Sequence, residues 1–365
     1  MEIGMKIAQI APPWIAIPPK NYGGTETVIH NLVEEQVAEG HDVTLFATGN
    51  SQTTAHLVPL LERGLHEDGV PWTDFQRECD YLQRALQYVR AADFDIVHTH
   101  LSSGGDMYLF PLLAALRVPH LTTLHSNLPF APAEVSDEIK CGDFAGWAPY
   151  VPLVAISERA RQAQHLPVHF IGVVHHGLPL EQFCRPLEPV ADFFLWLGRY
   201  ASAKGPHLAI EAARQARVQI VLAGTLTPDH DYYYTQIEPQ IDNHQIHNHG
   251  PATYEQKNTL MSQARAFLNP ITWEEPFGMV MAEAMAQGCP VISFARGAAP
   301  EIIRDGETGF LVNTLEEMVQ AIDYLDELDR AKVRAYARQH FSCHTMARKY
   351  EHLYREVVRT MSALS

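Results

Sequence analysis

The sequence predicts an α/β protein built from two doubly wound parallel sheets. Three observations carry this expectation. Short apolar runs alternate with amphipathic segments, as in parallel sheets covered by helices. The alternation occurs twice, on either side of a proline-bearing stretch of little periodicity, HHGLPLEQFCRPLEPV (175–190). At 365 residues, the chain is long enough for two cores.

The elements follow in order. MKIAQIAP reads as the first strand. An amphipathic helix over Thr25–Glu39 comes next, with Thr25 as N-cap, Val28, Leu32 and Val37 toward the sheet, and Gly40 ending it. HDVTLFAT, FDIVHTH, PHLTTLH, VPLVAIS and HFIGVVHH are the further strands of a first domain, residues 1–175. After a connector at 176–190, a second domain at 191–344 has strands ADFFLWLGR, VQIVLAG, IHNHG, ARAFLNP, CPVISF and GFLV. Helices are expected between them over His207–Gln215, Asp231–Ile241, Tyr254–Gln263, Phe277–Gln287 and Leu315–Leu328. A last helix covers Thr345–Ala363. In such sheets ligands gather at the carboxyl ends of the strands, here facing a shared cleft.

Composition narrows the function. A net charge of −16, with 10 Lys/Arg against 20 Asp/Glu in residues 1–170, argues against nucleic acid and anionic membranes as partners. Five scattered cysteines without a CxxC pair fit a reducing compartment rather than a disulfide framework or structural zinc. The N-terminus lacks signal-peptide character and no apolar run reaches transmembrane length, so the expected location is cytoplasmic.

The most informative motif is WEEPFGMVMAEAMAQGCPVI, where Glu275 precedes Glu283 by eight residues. On one helix that spacing is about 12 Å. It exceeds the roughly 5–9.5 Å of a glycosidase carboxylate pair, and it suits a grip on both ends of a nucleotide-sugar. Pro276 is expected in the first helical turn and Gly288 at the end, leaving the N–H groups of Phe277, Gly278, Met279 and Val280 toward an anion. The plainer alternative makes Glu275 a cap and Glu283 a surface residue; the neighbouring methionines belong to the core in either case.

Arg199 leaves a strand, and Lys204 stands at the next helix start, where the helix dipole disfavours a cation unless an anion compensates. Together they suit a diphosphate, although two exposed basic residues are a common arrangement. Tyr22-Gly23-Gly24-Thr25-Glu26 allows close backbone approach to a phosphate or sugar, or is simply a turn before a helix. His125 closes a strand, placed to bond a sugar hydroxyl or to donate to an oxygen of the reacting centre, or to be satisfied by loop backbone. His98 and His100 share a strand face without an obvious third metal ligand, and His244, His247 and His249 lack supporting partners. The DxD patterns at Asp93–Asp95 and Asp229–Asp231 look like a turn and a helix start, so no metal site is expected. GxGxxG, Walker and GxSxG signatures are absent, which disfavours dehydrogenase, P-loop kinase and serine hydrolase chemistry.

In this combination and order, YGGTETVIHNLVEEQVAEGHDVTLFA, FDIVHTH, TTLHSN, VAISE, the GR…KG pair, EPFGMVMAEAMAQGCPVI and GETGFLV resemble the retaining glycosyltransferases of family 4 over nearly the whole chain. The YGGTE opening resembles a bacterial subgroup with diverse acceptors. The resemblance implies the GT-B fold: two Rossmann-like domains facing a central cleft, with a C-terminal helix, about 345–365, crossing back to the first, acceptor domain. It implies that Arg199 and Lys204 hold the diphosphate, Glu275 the sugar hydroxyls and Glu283 the ribose. Backbone at Phe277–Val280 would contact sugar and phosphate, Gly23 and Gly24 lie near the phosphates, His125 stands beside the donor sugar, and the segment around Gly250 seats the base. Ser126 departs from the family, where many members carry an acidic residue.

The implied activity is transfer of a sugar from a nucleoside-diphosphate-sugar, UDP- or GDP-linked, to a hydroxyl with retention, by same-face attack. His125, Glu275, Arg199 and Lys204 form the catalytic set, with no metal or other cofactor required. A soluble acceptor, peripheral membrane contact at most, and a monomer or homodimer complete the expectation. The alternatives are a nucleotide-sugar epimerase of the same architecture and a non-catalytic nucleotide-sugar-binding protein.

Overall fold

The computed structural model describes residues 4–20, 23–72, 74–102, 109–126, 146–164, 168–187, 190–227 and 230–363. Tyr22, Asn127, Cys141, Glu188, Pro189 and Asp229, which belong to motifs or segments discussed above, lie outside these residues. The chain divides into two compact units, Met1–Gly177 with Cys343–Ser365, and Leu178–Ser342.

In the first unit the described elements run β1 (Lys6–Ile10), α1 (Gly24–Ala38), β2 (Asp42–Thr48), β3 (His56–Leu61), α2 (Phe75–Ala91), β4 (Ile96–Leu101), α3 (Leu109–Ala114), β5 (His120–Leu124), β6 (Pro152–Ala155), α4 (Glu158–Gln162) and β7 (His169–Val173). The sheet is parallel, in the order β3-β2-β1-β4-β5-β6-β7. Its direction of winding reverses between β1 and β4, where Gln9 stands opposite His98. Tyr81, Leu82, Ala85, Leu86 and Val89 repeat at helical spacing on α2 and join Phe46, Val97 and Leu101 in the core. The chain returns to this unit through α11 (Cys343–Ser362), whose Tyr350 and Tyr354, one turn apart, are fully buried.

The second unit contains β8 (Phe194–Arg199), α5 (Pro206–Ala216), β9 (Ile220–Thr225), β10 (Ile246–Gly250), α6 (Tyr254–Gln263), β11 (Phe267–Asn269), α7 (Met279–Ala286), β12 (Val291–Phe294), α8 (Ala299–Ile302), β13 (Gly309–Val312), α9 (Leu315–Ile322) and α10 (Arg330–His340). Its parallel order is β10-β9-β8-β11-β12-β13, and the winding reverses between β8 and β11. This is the GT-B pattern of two parallel α/β sheets.

Several local expectations are corrected. Gly23, not Thr25, is the N-cap of α1, and its carbonyl accepts bonds from the N–H and hydroxyl of Thr27. The inner face of α1 includes Ile29 and Val33, while Val37 is only half-buried. Asp231–Ile241 is not an α-helix but a short π-helix over Tyr233–Ile237 followed by a 3-10 turn over Glu238–Gln240. Pro239 explains part of this, since it has no N–H for the ladder. The helix expected over Leu315–Leu328 stops at Ile322, ahead of a 3-10 turn over Leu325–Glu327. Strand β3 and helix α10 were not anticipated.

Candidate active site

The carboxyl ends of β8 and β11 flank the reversal of the second sheet, and the residues following them are stitched together. Thr272 N–H donates to the Ala203 carbonyl over 2.9 Å, and Trp196 Nε1 donates to the Lys204 carbonyl over 3.1 Å. Lys204 ends a 3-10 turn before the cap of α5. Its ammonium donates to the Glu275 carboxylate and lies 4.9 Å from the centre of the Trp273 ring. The compensating anion expected beside Lys204 is therefore a side chain of the protein itself.

Glu275 does not lie on the helix. Helix α7 begins at Met279 behind Gly278, whose φ of 86° requires the left-handed region, so Pro276 precedes the helix and the 12 Å helical spacing does not apply. A Cβ on Gly278 would stand 3.3 Å from Glu275 Cγ, which puts the glutamate stem against the start of α7. No side chain caps that start. Phe277 is buried, whereas Gly278, Met279 and Val280 are half-buried. The backbone of Glu275 is held from behind by the loop before α8: its carbonyl accepts from Ala298 N–H over 2.9 Å. Gly297, at φ 55°, packs so closely there that a Cβ would collide with the Glu275 backbone.

Glu283 is on α7, buried to 7% exposure, and accepts from Lys257 Nζ over 2.6 Å. Lys257 lies in the first turn of α6, which begins with a reciprocal capping box between Thr253 and Gln256, and its ammonium also sits 4.9 Å over the Tyr254 ring. Sequence reasoning missed Lys257. The signal was present, since a lysine in the first turn of a helix opposes the dipole there as Lys204 was expected to.

The other residues are placed separately. Arg199 closes β8 and is exposed. Gly250 closes β10 beside a polar cluster in which its N–H and the Tyr200 hydroxyl both donate to Asn248 Oδ1, while Asn248 Nδ2 donates to the Tyr233 hydroxyl. Burial raises the Tyr200 phenol well above its ordinary range, so it stays protonated as a donor.

In the first unit, Gly23 is buried against Pro19 and Glu26, and the exposed Gly24 has open space at its missing Cβ. His125 follows β5 and is 8% exposed. Its ring stacks on His176 at 5.2 Å, and its Nε2 lies 3.0 Å from His100 Nδ1. The ring is thus held by a neighbouring imidazole rather than by loop backbone. Burial, then the neighbouring imidazoles, holds His125 and His100 well below the ordinary histidine pKa, so both are neutral at pH 7. His98 and His100, on one strand face as expected, also belong to this buried hydrogen-bonded group. Asp93 and Asp95 bind Lys6 in the turn before β4, and His244, His247 and His249 are not buried. Among the described residues, groups with metal-ligand proximity are Glu35, Glu39 and His344, and Glu39, His41 and Glu351, at the junction of α1 and α11.

Comparison with known proteins gives this geometry a context. Residues 22–201 match the family described as Glycosyltransferase Family 4, and residues 186–340 match Glycosyl transferases group 1. The D-inositol 3-phosphate glycosyltransferase of Streptomyces scabiei is 25% identical over 343 residues, covering 80% of this chain and 75% of that protein. In fold, the chain is similar to sucrose-phosphate synthase from Thermosynechococcus elongatus, with a TM-score of 0.74 at 19% identity over 98% of this chain and 100% of that one. It is also similar to Anabaena HepE in complex with UDP and glucose, with a TM-score of 0.69 at 17% identity over 96% and 100% of the two chains.

Proposed function

The chain belongs to the glycosyltransferases of family 4, and we propose that it moves a sugar from a nucleoside-diphosphate donor to an acceptor hydroxyl with retention of configuration. The observation that carries this proposal is the pairing of Lys204 with Glu275 at the reversal of the second sheet, against the uncapped start of α7. Reversal points at carboxyl strand ends are where open α/β sheets bind ligands. A free helix N-terminus beside a cation favours a bound phosphate.

In this mechanism the donor diphosphate displaces the Glu275 carboxylate from the Lys204 ammonium. Lys204 and Arg199 then neutralise the charge that grows on the leaving diphosphate as the glycosidic bond breaks. Glu275, released from Lys204 but still fixed through its backbone to Ala298, accepts hydrogen bonds from sugar hydroxyls. Glu283 holds the ribose diol, with Lys257 orienting its carboxylate. The acceptor attacks on the face from which the nucleotide departs, and a phosphate oxygen takes its proton. The protein supplies orientation and charge rather than a covalent nucleophile. UDP- or GDP-sugars are the proposed donors, as the HepE complex with UDP supports for the fold. The relative named for D-inositol 3-phosphate supports a polar, polyhydroxylated acceptor. No helix among the described residues is long and apolar enough to cross a membrane.

The test is a melting-temperature screen over UDP-, GDP-, ADP- and TDP-sugars, followed by proton NMR of the product formed from the stabilising donor. A raised melting temperature and a product with the donor's anomeric configuration support the proposal. An inverted product would sink the same-face mechanism.

A further inference from the structure

The buried polar group of the first unit has one self-consistent arrangement of protons. Gln9 on β1 donates through Nε2 to Gln36 Oε1 at 2.9 Å and to the Tyr354 hydroxyl at 3.2 Å, and Gln36 Nε2 donates to the same hydroxyl at 2.9 Å. With two donors arriving, the Tyr354 hydroxyl spends its own proton on His98 Nδ1 at 2.7 Å. His98 then carries its proton on Nε2 and donates to Thr123 Oγ1 at 2.7 Å. Flipping either amide alone sets like atoms of Gln9 and Gln36 against each other. Flipping both aims two amide oxygens at a hydroxyl with a single proton. Amide orientation and histidine tautomer are set by such networks, and here only one arrangement satisfies every contact.

The consequence runs outward from Gln9. Its Oε1 faces His100 Nε2 at 3.0 Å, so Nε2 carries the proton. His100 Nδ1 is therefore bare and accepts from His125 Nε2–H at 3.0 Å. That leaves His125 Nδ1 as a bare lone pair, buried and without a hydrogen-bond partner among the described residues. The neutrality of these imidazoles, imposed by burial, keeps a second proton from upsetting the order.

We infer that Gln9 and His100 are positioning residues that fix His125 as a hydrogen-bond acceptor, its Nδ1 receiving a proton from a hydroxyl of a bound sugar. This rests on the proposed transfer and on His125 standing beside the bound sugar, as the family resemblance implies, and it excludes the role of donor to an oxygen of the reacting centre. An acceptor at that position recognises a ligand hydroxyl and rejects a ligand that offers an ether or carbonyl oxygen in its place, because two lone pairs would then meet.

The first measurement needs neither ligand nor activity. In the wild-type protein labelled with 15N-histidine, long-range proton–nitrogen correlation, with His125 assigned through His125→Gln, should show Nε2 protonated and Nδ1 bare. A protonated Nδ1 overturns the inference. Gln9→Met removes the oxygen that orients His100, so both His125 tautomers should appear, and an unchanged single tautomer would also overturn it. The second measurement adds UDP-glucose or GDP-mannose, whichever raises the melting temperature, and then UDP or GDP alone. A change in the His125 Nδ1 signal with the sugar-nucleotide only assigns the hydroxyl to the donor sugar. A change only when myo-inositol joins the nucleotide complex assigns it to the acceptor. No change with any bound probe refutes the ligand contact. If no sugar-nucleotide binds at all, the transferase mechanism is what fails, and the tautomer result still stands or falls separately.

Discussion

The two sheets each place buried or half-buried polar side chains at the point where their winding reverses, and the two sets differ in kind. In the first unit the groups are neutral: Gln9, His98 and His100 on β1 and β4, joined to His125 and closed over by Tyr354. In the second they are ionic: Lys204 with Glu275 and, on the neighbouring helices, Lys257 with Glu283. A neutral network deep in protein can fix the direction of hydrogen bonds but offers no charge to an incoming phosphate. A lysine–carboxylate pair with the lysine side chain 24% exposed can exchange its partner for a phosphate, because neither ion must cross a fully desolvated state. The same topology thus supplies polarity in one unit and exchangeable charge in the other.

The contrast is broken most severely by removing the charge. Lys204→Ala and Glu275→Ala should each lower kcat by about 10²–10³, the scale of losing one preorganised group that stabilises transition-state charge. The melting temperature without ligand should barely move, since partly exposed ion pairs contribute little to stability. Steady-state transfer assays beside thermal melts decide this, and wild-type turnover in either folded variant defeats the division of labour. Gly297→Ala attacks the same carboxylate from behind. The alanine must adopt φ 55° and push on the Glu275 backbone, so activity should fall by about tenfold or more, a displacement of ångström scale at a site being costly.

Much of this was legible in the sequence, and what escaped has identifiable causes. Five of the six strands of the second sheet are short apolar runs after turn signals, which local patterning reports well, and the sixth, β10, carries Ile246 as its one apolar anchor. β3 escaped because its edge position leaves HLVPLL without a fully buried residue, and it carries a proline. The catalytic candidates were readable from motif and resemblance, but their partners were not. Nothing in one dimension says that Lys204 meets Glu275 across 71 positions, or that Tyr354 reaches Gln9 across 345. The eight-residue interval between the glutamates misled for a local reason: the left-handed Gly278 separates Glu275 from the helix that carries Glu283. His98 and His100 could be read as strand histidines, but their role appears only once α11 covers them.

A finer test separates the two ion pairs within the second unit. Lys257 touches Glu283, at the end assigned to the ribose and away from the bond that breaks. Lys257→Ala should therefore raise the donor KM about tenfold and leave kcat within about twofold, the signature of binding lost equally from ground and transition states. Isothermal titration with the nucleoside diphosphate should show the same loss. A fall in kcat like that of Lys204→Ala would mean that both lysines act on the reacting phosphate.

The mildest perturbation is pH, and it should reach the first unit through its histidines. Burial lowers His98, His100 and His125 well below the ordinary value, and holds His176 at about 3. Each is neutral when folded, whereas in the unfolded chain each titrates near 6.5. Below that value the unfolded state binds the proton first. The stabilisation due to these groups is therefore complete above about pH 6.5 and is lost as pH falls, at up to about 1.4 kcal/mol per pH unit for each histidine. Between pH 8 and 7 little should change. From pH 6 downward, hydrogen exchange read by mass spectrometry should quicken first in peptides from β4, β5 and α11. His176→Gln should reduce the slope if it folds, because one titrating group is gone. Earlier acid opening of β8 and β11 instead would place the acid sensitivity in the second unit, and the neutral network would lose its place as the acid-sensitive half of the comparison.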